Sequence, residues 1–235
     1  MKIALIGYGK MGKCIESLAA IQAIEVTAIL EKHNPTDMST IEALQQAEVW
    51  IDFSHPSAVL DHVQRAANNK KNILIGTTGW ERDLSKVQAL VQKSGVGCLF
   101  SPNFSVGVLI FYTLVKQASR LAHQSGEYAV AGWELHHATK KDAPSGTAKA
   151  LHALLQTEWG SHSIPSFSSI RCGHVPGTHT VLLNSSYDTL SLTHEAHSRE
   201  GFAKGALFAA KWLCGKSGFF TIDDLVGEIS SFLYS

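Results

Sequence analysis

A β-rich segment followed at once by a glycine turn limits the fold of this chain more than any other feature. The apolar run Ile3–Ile6 precedes Gly7-Tyr-Gly-Lys-Met-Gly12, and a helical pattern follows. In such a strand–turn–helix unit Gly7 allows the tight turn, Gly9 lets the backbone approach a ligand, and Gly12 lets the helix pack on the strand. Because the first N–H groups of a helix attract phosphate, we predict a dinucleotide site formed by Gly7, Tyr8, Gly9, Lys10, Met11 and Gly12.

An acidic residue stands where a unit of this kind binds a ribose. Glu31 follows the second β-rich run, about 20 residues after Gly12. A carboxylate there accepts hydrogen bonds from the ribose hydroxyls and repels a 2′-phosphate, which favours NADH, whereas the adjacent Lys32 can pair with that phosphate. We therefore predict that Glu31 and Lys32 bind the cofactor, and the choice between NADH and NADPH stays open.

β-rich and helical segments alternate through the first hundred residues. The β-rich runs are Ile3–Ile6, Ile24–Leu30, Val49–Phe53, Asn72–Gly76 and Gly97–Phe100, and the helical runs are Lys10–Ile21, Thr40–Gln46, Ala58–Asn68 and Leu84–Lys93. This alternation predicts right-handed βαβ crossovers and a parallel sheet of the Rossmann type. Loops at the carboxyl ends of two strands would complete the cofactor site, with the candidate residues Gly76, Thr77, Thr78, Ser101, Pro102, Asn103 and Phe104.

The pattern changes after about Ser105. The later segments are a helix from Val106 to about Ala122, a strand over Tyr128–His137, a helix over Gly146–Trp159, strands over His179–Asn184 and Thr189–Ala196, and a helical tail over Phe202–Gly215. We therefore predict an α/β chain in which a Rossmann-type parallel-sheet domain is joined to a second, α+β domain with a mostly antiparallel sheet. The first domain is placed at residues 1–104 plus 205–235, with the tail returning to it, and the second at residues 105–204.

Composition excludes several classes of function. The chain has 235 residues, of which 45% are apolar and 17% charged, and its formal net charge is zero, so it carries no excess of basic residues that would favour nucleic acid. Four scattered cysteines form no CxxC pair and indicate reduced thiols. The longest apolar stretch, Val106–Val115, is too short to span a bilayer and is interpreted as a buried helix. Since the N-terminus also lacks a signal-peptide pattern, we expect a cytoplasmic protein without a membrane partner.

The residues with the most chemistry lie between Glu134 and Ala148. If the strand ends near His137, then His136 and His137 face opposite sides and serve different purposes. Lys140 follows in a loop, and the next helix begins with a turn whose N–H groups can hold a carboxylate, formed by Ser145, Gly146 and Thr147. A histidine, a lysine and an anion site suit a small anionic substrate that takes up a proton as it accepts a hydride.

A metal site is weighed because the second half is rich in histidine. There is no HExxH motif, and the spacing of His194 and His197 would place the two on opposite faces of a strand. We therefore expect no metal.

Seven segments together resemble one known family. The segment His136-His-Ala-Thr-Lys-Lys-Asp-Ala-Pro-Ser-Gly-Thr-Ala148 is similar to the signature of the 4-hydroxy-tetrahydrodipicolinate reductases. Other similar segments occur in the family's order and cover nearly the whole chain: Ile51–Ser54, Ile75–Gly79, Ser101–Gly107, Val175–His179, and His194–Arg199 with Phe202–Gly205.

The resemblance implies reduction of a cyclic imine dicarboxylate, with NADH or NADPH and loss of water, in the diaminopimelate–lysine pathway. It implies that His136 is a proton donor or acceptor and Lys140 a proton donor, and that His137, Gly146 and Thr147 bind the substrate. It also implies that the second domain binds substrate and that its sheets build a homotetramer.

Two alternatives stay open. One is an amino-acid dehydrogenase of the aspartate dehydrogenase type, which has a similar lysine-and-glycine motif; the adjacent His136 and His137 and the later Val175–His179 segment favour the reductase. The other is a non-catalytic NAD-binding sensor, which would need neither Lys140 nor the histidines.

Overall fold

The structure is a computed structural model that describes residues 1–31, 38–160 and 164–233. The chain divides into two compact units, one formed by Met1–Ser105 with Phe202–Ser235 and the other by Val106–Gly201.

The first unit begins as the sequence predicts, with strands and helices in alternation. Its elements in chain order are β1 (Lys2–Ile6), α1 (Lys10–Ile21), β2 (Glu25–Leu30), α2 (Met38–Gln46), β3 (Val49–Asp52), α3 (Val59–Asn68), β4 (Asn72–Ile75), α4 (Leu84–Ser94) and β5 (Gly97–Phe100). The predicted runs differ from these bounds by at most two residues at their ends, where capping and fraying decide the boundary.

The second unit supplies the middle of the chain. Its elements are α5 (Val106–Ser125), β6 (Ala129–His136), α6 (Gly146–Trp159), β7 (Ser168–Arg171), β8 (Gly177–Asn184) and β9 (Thr189–Ala196). The chain then returns to the first unit through α7 (Glu200–Leu213), β10 (Gly218–Thr221) and α8 (Ile222–Leu233). The sequence analysis missed β7, β10 and α8.

All strand pairs of the first sheet are parallel, and the order is β10-β5-β4-β3-β1-β2. The chain leaves β1 toward one edge to form β2 and then crosses back to place β3 on the other side of β1. Between β1 and β3 the strand order therefore reverses, which makes the carboxyl ends of these two strands the expected ligand site. The Rossmann-type prediction is confirmed.

Apolar side chains cover both faces of this sheet. The residues of β3 are all buried, as expected for a strand with helices on each side. One face packs with α1 and α7 and the other with α3 and α4. The returning helix α7 buries Ala203, Ala206, Leu207 and Leu213 in the first core.

Asn72 helps to position β10, one of the two strands that the sequence analysis missed. Its amide nitrogen donates to the carbonyls of Leu213 (2.7 Å) and Lys216 (3.1 Å), and its amide oxygen accepts from the N–H of Gly97 (2.7 Å). These bonds tie the end of α7 to β4 and β5, and β10 then pairs with β5.

The sheet of the second unit is mixed, with the order β7-β6-β8-β9. β6 pairs antiparallel with β8, and β8 with β9, while β7 runs parallel to β6. The mostly antiparallel prediction is confirmed. Pairing in β6 places Glu134 opposite His179 of β8 and beside Ser169 of β7, which brings together residues distant in sequence.

The prediction of a buried helix after Ser105 holds for one face of α5 only. Val108, Phe111 and Val115 are buried, whereas Ile110 and Leu114 are about half exposed. Among the described helices, none is long and apolar enough to cross a membrane.

Gly205 tests the packing of α7. A Cβ there would overlap the backbone carbonyl of Phe104, whereas a Cβ on Gly227 of α8 would meet no described atom within 4 Å. Although alanine favours helices by about 1 kcal/mol over glycine, we expect Gly205→Ala to lower the free energy of unfolding by about 1–3 kcal/mol, because a backbone group must move.

The matched variant Gly227→Ala should be neutral or stabilising by up to about 1 kcal/mol. Denaturant unfolding of the two variants measures the difference. Equal stability of both would show that α7 does not pack against Phe104 as described.

Candidate functional site

The glycine turn between β1 and α1 lies at the reversal of strand order. Gly7 has φ of 90° and donates its N–H to the carbonyl of Leu30 (2.8 Å), a conformation that favours glycine. A Cβ on Gly12 would overlap the carbonyl of Gly7, so helix and turn are in close contact. The roles predicted for these two glycines therefore have a visible steric cause.

Gly9 faces open space instead. It is the residue before α1, no described side chain caps it, and a Cβ there would meet no described atom within 4 Å. The first N–H groups of α1 lack partners inside the helix, and Gly9 leaves the approach to them clear. This arrangement fits a diphosphate, which binds helix N-termini and needs close access to the backbone.

The remaining residues of the turn differ in surroundings. Lys10 is exposed and Met11 is partly buried against the core. The hydroxyl of Tyr8 donates to the carboxylate of Glu16. This bond, partial burial and the negative charges of Glu16 and Glu31 raise the pKa of Tyr8.

Glu31 is exposed immediately after β2. The N–H of Gly7 donates to the carbonyl of Leu30, and the charge of Glu31 acts on Tyr8, so Glu31 lies near the glycine turn; its contact with a ribose stays a prediction. The predicted partner Lys32 falls outside the described residues.

A buried carboxylate organises the loop after β4. Asp52, fully buried at the end of β3, accepts hydrogen bonds at Oδ1 from the Thr77 hydroxyl (2.8 Å) and from the N–H (2.9 Å) and hydroxyl (2.6 Å) of Ser54. Its other oxygen lies 2.7 Å from Nδ1 of His62. The side chain of Thr77 is therefore used to shape the loop, while Gly76 is partly exposed and Thr78 exposed.

The loop after β5 is likewise bonded within itself. The Ser101 hydroxyl donates to the Asn103 carbonyl (2.5 Å), and the Asn103 side chain accepts from the N–H of Ser105 (2.8 Å). Ser101, Asn103 and Phe104 are buried, and only Pro102 is exposed. These side chains hold the loop in shape, so its backbone and Pro102 are what it can offer a ligand.

In the second unit, the carboxylate of Glu134 is the centre of the candidate substrate site. Glu134 is fully buried in β6. Its Oε1 accepts from the N–H of Ser145 (3.0 Å), the hydroxyl of Ser169 (2.7 Å) and the guanidinium of Arg171 (3.1 Å). Burial opposes its ionisation, but the bonds from Ser145, Ser169 and Arg171 outweigh burial and lower the pKa of Glu134 to about 2.

Two histidines face the other oxygen of Glu134. Oε2 lies 3.3 Å from Nδ1 of His136 and 3.5 Å from Nε2 of His179. The centroids of the two imidazole rings are 5.0 Å apart. Within the described part of the chain, Nδ1 of each ring is buried without a hydrogen bond.

The histidines are not equivalent in charge. Burial lowers the pKa of His179 to about 4, with a further decrease caused by His136, so this ring is neutral near pH 7. Burial also lowers the pKa of His136, helped by the cations of Lys140 and Arg171, while the charge of Glu134 acts in the opposite direction. His136 can therefore exchange a proton while a fixed negative charge faces it.

His136 is held tightly at the end of β6. Its side chain is 8% exposed, and Gly177 lies so close that a Cβ there would be 2.9 Å from Nε2. Glycine at position 177 is thus explained by the approach of the ring.

Lys140 and His137 occupy the loop that leads to α6. The ammonium group of Lys140 lies 2.7 Å from Oδ1 of Asp142 and its side chain is 22% exposed. His137 lies beyond the strand, with Nδ1 2.8 Å from the Thr139 hydroxyl. His136 and His137 therefore have different surroundings.

Ser145 caps α6, accepting a hydrogen bond from the N–H of Ala148 at its hydroxyl (3.2 Å). The hydroxyl also lies 3.0 Å from Nε2 of His179. A Cβ on Gly146 would meet no described atom within 4 Å, and Thr147 follows with its carbonyl 3.5 Å from the Tyr112 hydroxyl. The start of α6 is accordingly fixed through Ser145 and accessible at Gly146.

Glu134, His136 and His179 form a cluster whose ligand atoms all lie within 4.8 Å of one another, a spacing that a metal ion could use. However, Glu134 already accepts several hydrogen bonds, and the Arg171 guanidinium lies 3.1 Å from it. A fixed cation at this distance disfavours a metal ion, so the expectation of no metal stays a prediction. His197 lies outside β9, and the argument from opposite strand faces does not apply to it.

The polar residues at the centre of these sites were not among the predicted site residues, and neither were several of their partners: Asp52, His62, Glu134 and His179, with Ser54, Asp142, Ser169 and Arg171. A polar residue in an otherwise apolar strand was the available signal for Asp52. For Glu134 and His179 the signal was their position within strands of a domain rich in histidine, but their meeting depends on the register of β6 and β8.

The fold and the glycine turn define the class as two-domain, nicotinamide-dependent oxidoreductases. A family model described as the N-terminus of dihydrodipicolinate reductase matches residues 1–104, and one described as its C-terminus matches residues 107–226. The chain belongs to the dihydrodipicolinate reductase family.

Similar proteins agree with this placement. The chain is 34% identical to a 4-hydroxy-tetrahydrodipicolinate reductase of Christiangramia forsetii, over 97% of the chain and 99% of the relative. It is 32% identical to one of Methanoregula boonei, over 96% and 98%. A dipicolinate-bound dihydrodipicolinate reductase of a Paenisporosarcina species shares the fold, with a TM-score of 0.80 at 22% identity over 94% of this chain and 97% of that one.

Gly9 offers a direct test of the cofactor site. Gly9→Ala adds a methyl group where the backbone is open, so we expect little change in the unfolding midpoint but at least about a tenfold loss of NADH affinity, because the phosphates can no longer reach the helix N-terminus. Fluorescence titration with NADH measures the affinity, and Gly227→Ala in the same unit is the control. If Gly9→Ala binds NADH as tightly as the unaltered protein does, the diphosphate does not bind at this turn.

Proposed function

We propose that this chain reduces 4-hydroxy-tetrahydrodipicolinate to tetrahydrodipicolinate in the diaminopimelate–lysine pathway. The observation that carries the proposal is the placement of His136 and the start of α6 around the buried carboxylate of Glu134, with Lys140 in the loop that joins β6 to α6. This set of groups suits a small anionic dicarboxylate, and it occurs in a chain of the dihydrodipicolinate reductase family.

The reaction balances with one hydride and one proton. NADH or NADPH supplies the hydride, a proton is taken up, and water leaves the substrate ring. The residues that would hold this cofactor are those of the first unit: Gly7 to Gly12, Glu31, Lys32, Gly76 to Thr78, and Ser101 to Phe104.

Two kinds of positive potential would bind the substrate carboxylates. The N-terminus of α6 offers N–H groups and the positive end of the helix dipole at Gly146 and Thr147. Lys140 offers an ammonium group on a loop, which can leave Asp142 for a substrate carboxylate because the pair is partly exposed. His137 lies in the same loop and is expected to contribute a hydrogen bond.

His136 and Lys140 are the proposed proton-transfer groups. His136 is buried, titrates below its ordinary range and faces Glu134, so it can bind a proton and release it readily. Lys140 is the proposed proton donor, and its charge would also offset negative charge that develops on the substrate.

Reduction can be measured at 340 nm with substrate formed in situ from pyruvate and aspartate semialdehyde by the preceding synthase. We expect oxidation of NADH or NADPH that depends on the synthase, and Lys140→Ala should lower kcat by about 10²–10⁴ with NADH affinity unchanged. Lys141→Ala, which removes the adjacent ammonium group, is the matched control and should retain most activity.

Absence of oxidation by a folded, NADH-binding protein would overturn the assignment. Activity with aspartate and NAD would instead support the amino-acid dehydrogenase. Tight NADH binding without turnover of either substrate would support the sensor.

The proposal includes a homotetramer in the cytoplasm. β9 is an edge strand of the second sheet, and Leu190 on it and Tyr187 in the preceding turn are 49% and 83% exposed. An exposed edge with apolar side chains is suited to a subunit contact. Light scattering should give about four times the chain mass of 25.4 kDa, and a monomer at micromolar concentration would contradict the tetramer.

A further inference from the structure

We infer that Glu134 is a positioning residue of the substrate site, which holds the first turn of α6 by hydrogen bonds and faces the imidazolium that His136 becomes on protonation. The inference rests on the proposed function, because it takes that turn and His136 as groups that meet the substrate. It extends that function by giving a task to a residue that does not itself react.

The two oxygens of Glu134 have separate surroundings. Oε1 is occupied by donors from β7, namely the hydroxyl of Ser169 at 2.7 Å and the guanidinium of Arg171 at 3.1 Å. Oε2 is 3.3 Å from His136 and 3.5 Å from His179. The bonds on Oε1 fix the carboxylate so that Oε2 stays directed at the two rings.

The Glu134 side chain is long enough to bond the start of α6, and we call this length its reach. The N–H of Ser145 donates to both oxygens, at 3.0 and 3.2 Å, and Ser145 in turn caps α6 through Ala148. A shorter side chain on β6 would withdraw the acceptor from Ser145. The turn that contains Gly146 and Thr147 would then shift, and with it the N–H groups proposed for a substrate carboxylate.

The charge of the side chain acts on His136. The groups that face His136 are Glu134 from its own strand, His179 from β8, Arg171 from β7, and Lys140 and Asp142 from the loop. The two cations oppose protonation of the ring, and the two carboxylates favour it. Glu134 is fully buried whereas the Asp142 side chain is 50% exposed, so water screens the charge of Glu134 far less.

Three variants separate reach from charge. Glu134→Gln keeps the length of the side chain and removes its charge, and Glu134→Asp keeps the charge and shortens the side chain. Ser169→Ala removes one of the donors to Oε1 and leaves Ser145 and Arg171 in place. The titration of His136 is followed by NMR of its Cε1–H group, assigned by comparison with His136→Gln. Substrate-site affinity is measured as the inhibition constant of dipicolinate, a ligand of the related reductase from Paenisporosarcina.

In Glu134→Gln we expect His136 to titrate at lower pH than in the unaltered protein. A proton donor loses activity as the pH rises through its pKa, so the corresponding fall in kcat/KM should also begin at lower pH. Loss of packing alone would reduce activity without moving this titration. If His136 titrates at the same pH in Glu134→Gln, the inference about charge is wrong.

In Glu134→Asp we expect dipicolinate inhibition to weaken by about tenfold, as for loss of a hydrogen bond to a charged group, with the His136 titration close to that of the unaltered protein. Ser169→Ala should weaken dipicolinate inhibition less than Glu134→Asp does and lower the His136 titration less than Glu134→Gln does, because Ser145 and Arg171 still donate to Oε1. An unchanged inhibition constant in Glu134→Asp would overturn the inference about reach. If Glu134→Gln does not fold, the inhibition constant of Glu134→Asp alone tests whether Glu134 positions the substrate site. If the unaltered protein neither turns over nor binds dipicolinate, the proposed function fails, and the NMR titration of Glu134→Gln still decides the role of Glu134.

Discussion

A carboxylate buried in the middle of a sheet must be paired, because an isolated charge in a protein interior is strongly unfavourable. Glu134 meets this condition with donors from three directions, Ser145 at the start of α6 and Ser169 and Arg171 on β7. Each donor is thereby fixed relative to β6. The geometry of the candidate substrate site follows from this requirement, since the turn proposed to bind a substrate carboxylate and the two histidines all lie against the same side chain.

A comparable arrangement supports the proposed cofactor site of the first unit. Asp52 is fully buried at the end of β3 and is bonded to Ser54, Thr77 and His62. The strand order reverses between β1 and β3, so Asp52 shapes a loop next to the glycine turn. In both units a buried carboxylate, Asp52 or Glu134, holds the segments that are proposed to contact a ligand, although neither carboxylate is itself proposed to contact it.

The features that could be predicted from the sequence are those determined locally. The glycine turn requires particular backbone conformations and close packing at fixed spacing, and Ser145 caps the helix that begins one residue later. The alternation of β-rich runs with helical runs likewise predicts the parallel sheet, and the strand runs are continuously apolar because each strand is covered on both faces.

The features that could not be predicted depend on pairing over long distances. β7 and β10 have four residues each, and β7 is mostly exposed, so neither carries a clear periodicity. The contacts of Glu134 with Ser169, Arg171 and His179 are set by the register of three strands. Burial of Ser101 and Asn103 follows from bonds within their loop, which a list of polar candidates does not reveal.

The central claim is that a hydride of the nicotinamide cofactor is transferred to a cyclic dicarboxylate substrate. The most direct measurement is mass spectrometry of tetrahydrodipicolinate formed with NADH deuterated at either position of C4, in the presence of the synthase. The account predicts a product heavier by one mass unit with one of the two labelled cofactors and unlabelled product with the other. Oxidation of both cofactors without deuterium in the product would contradict it.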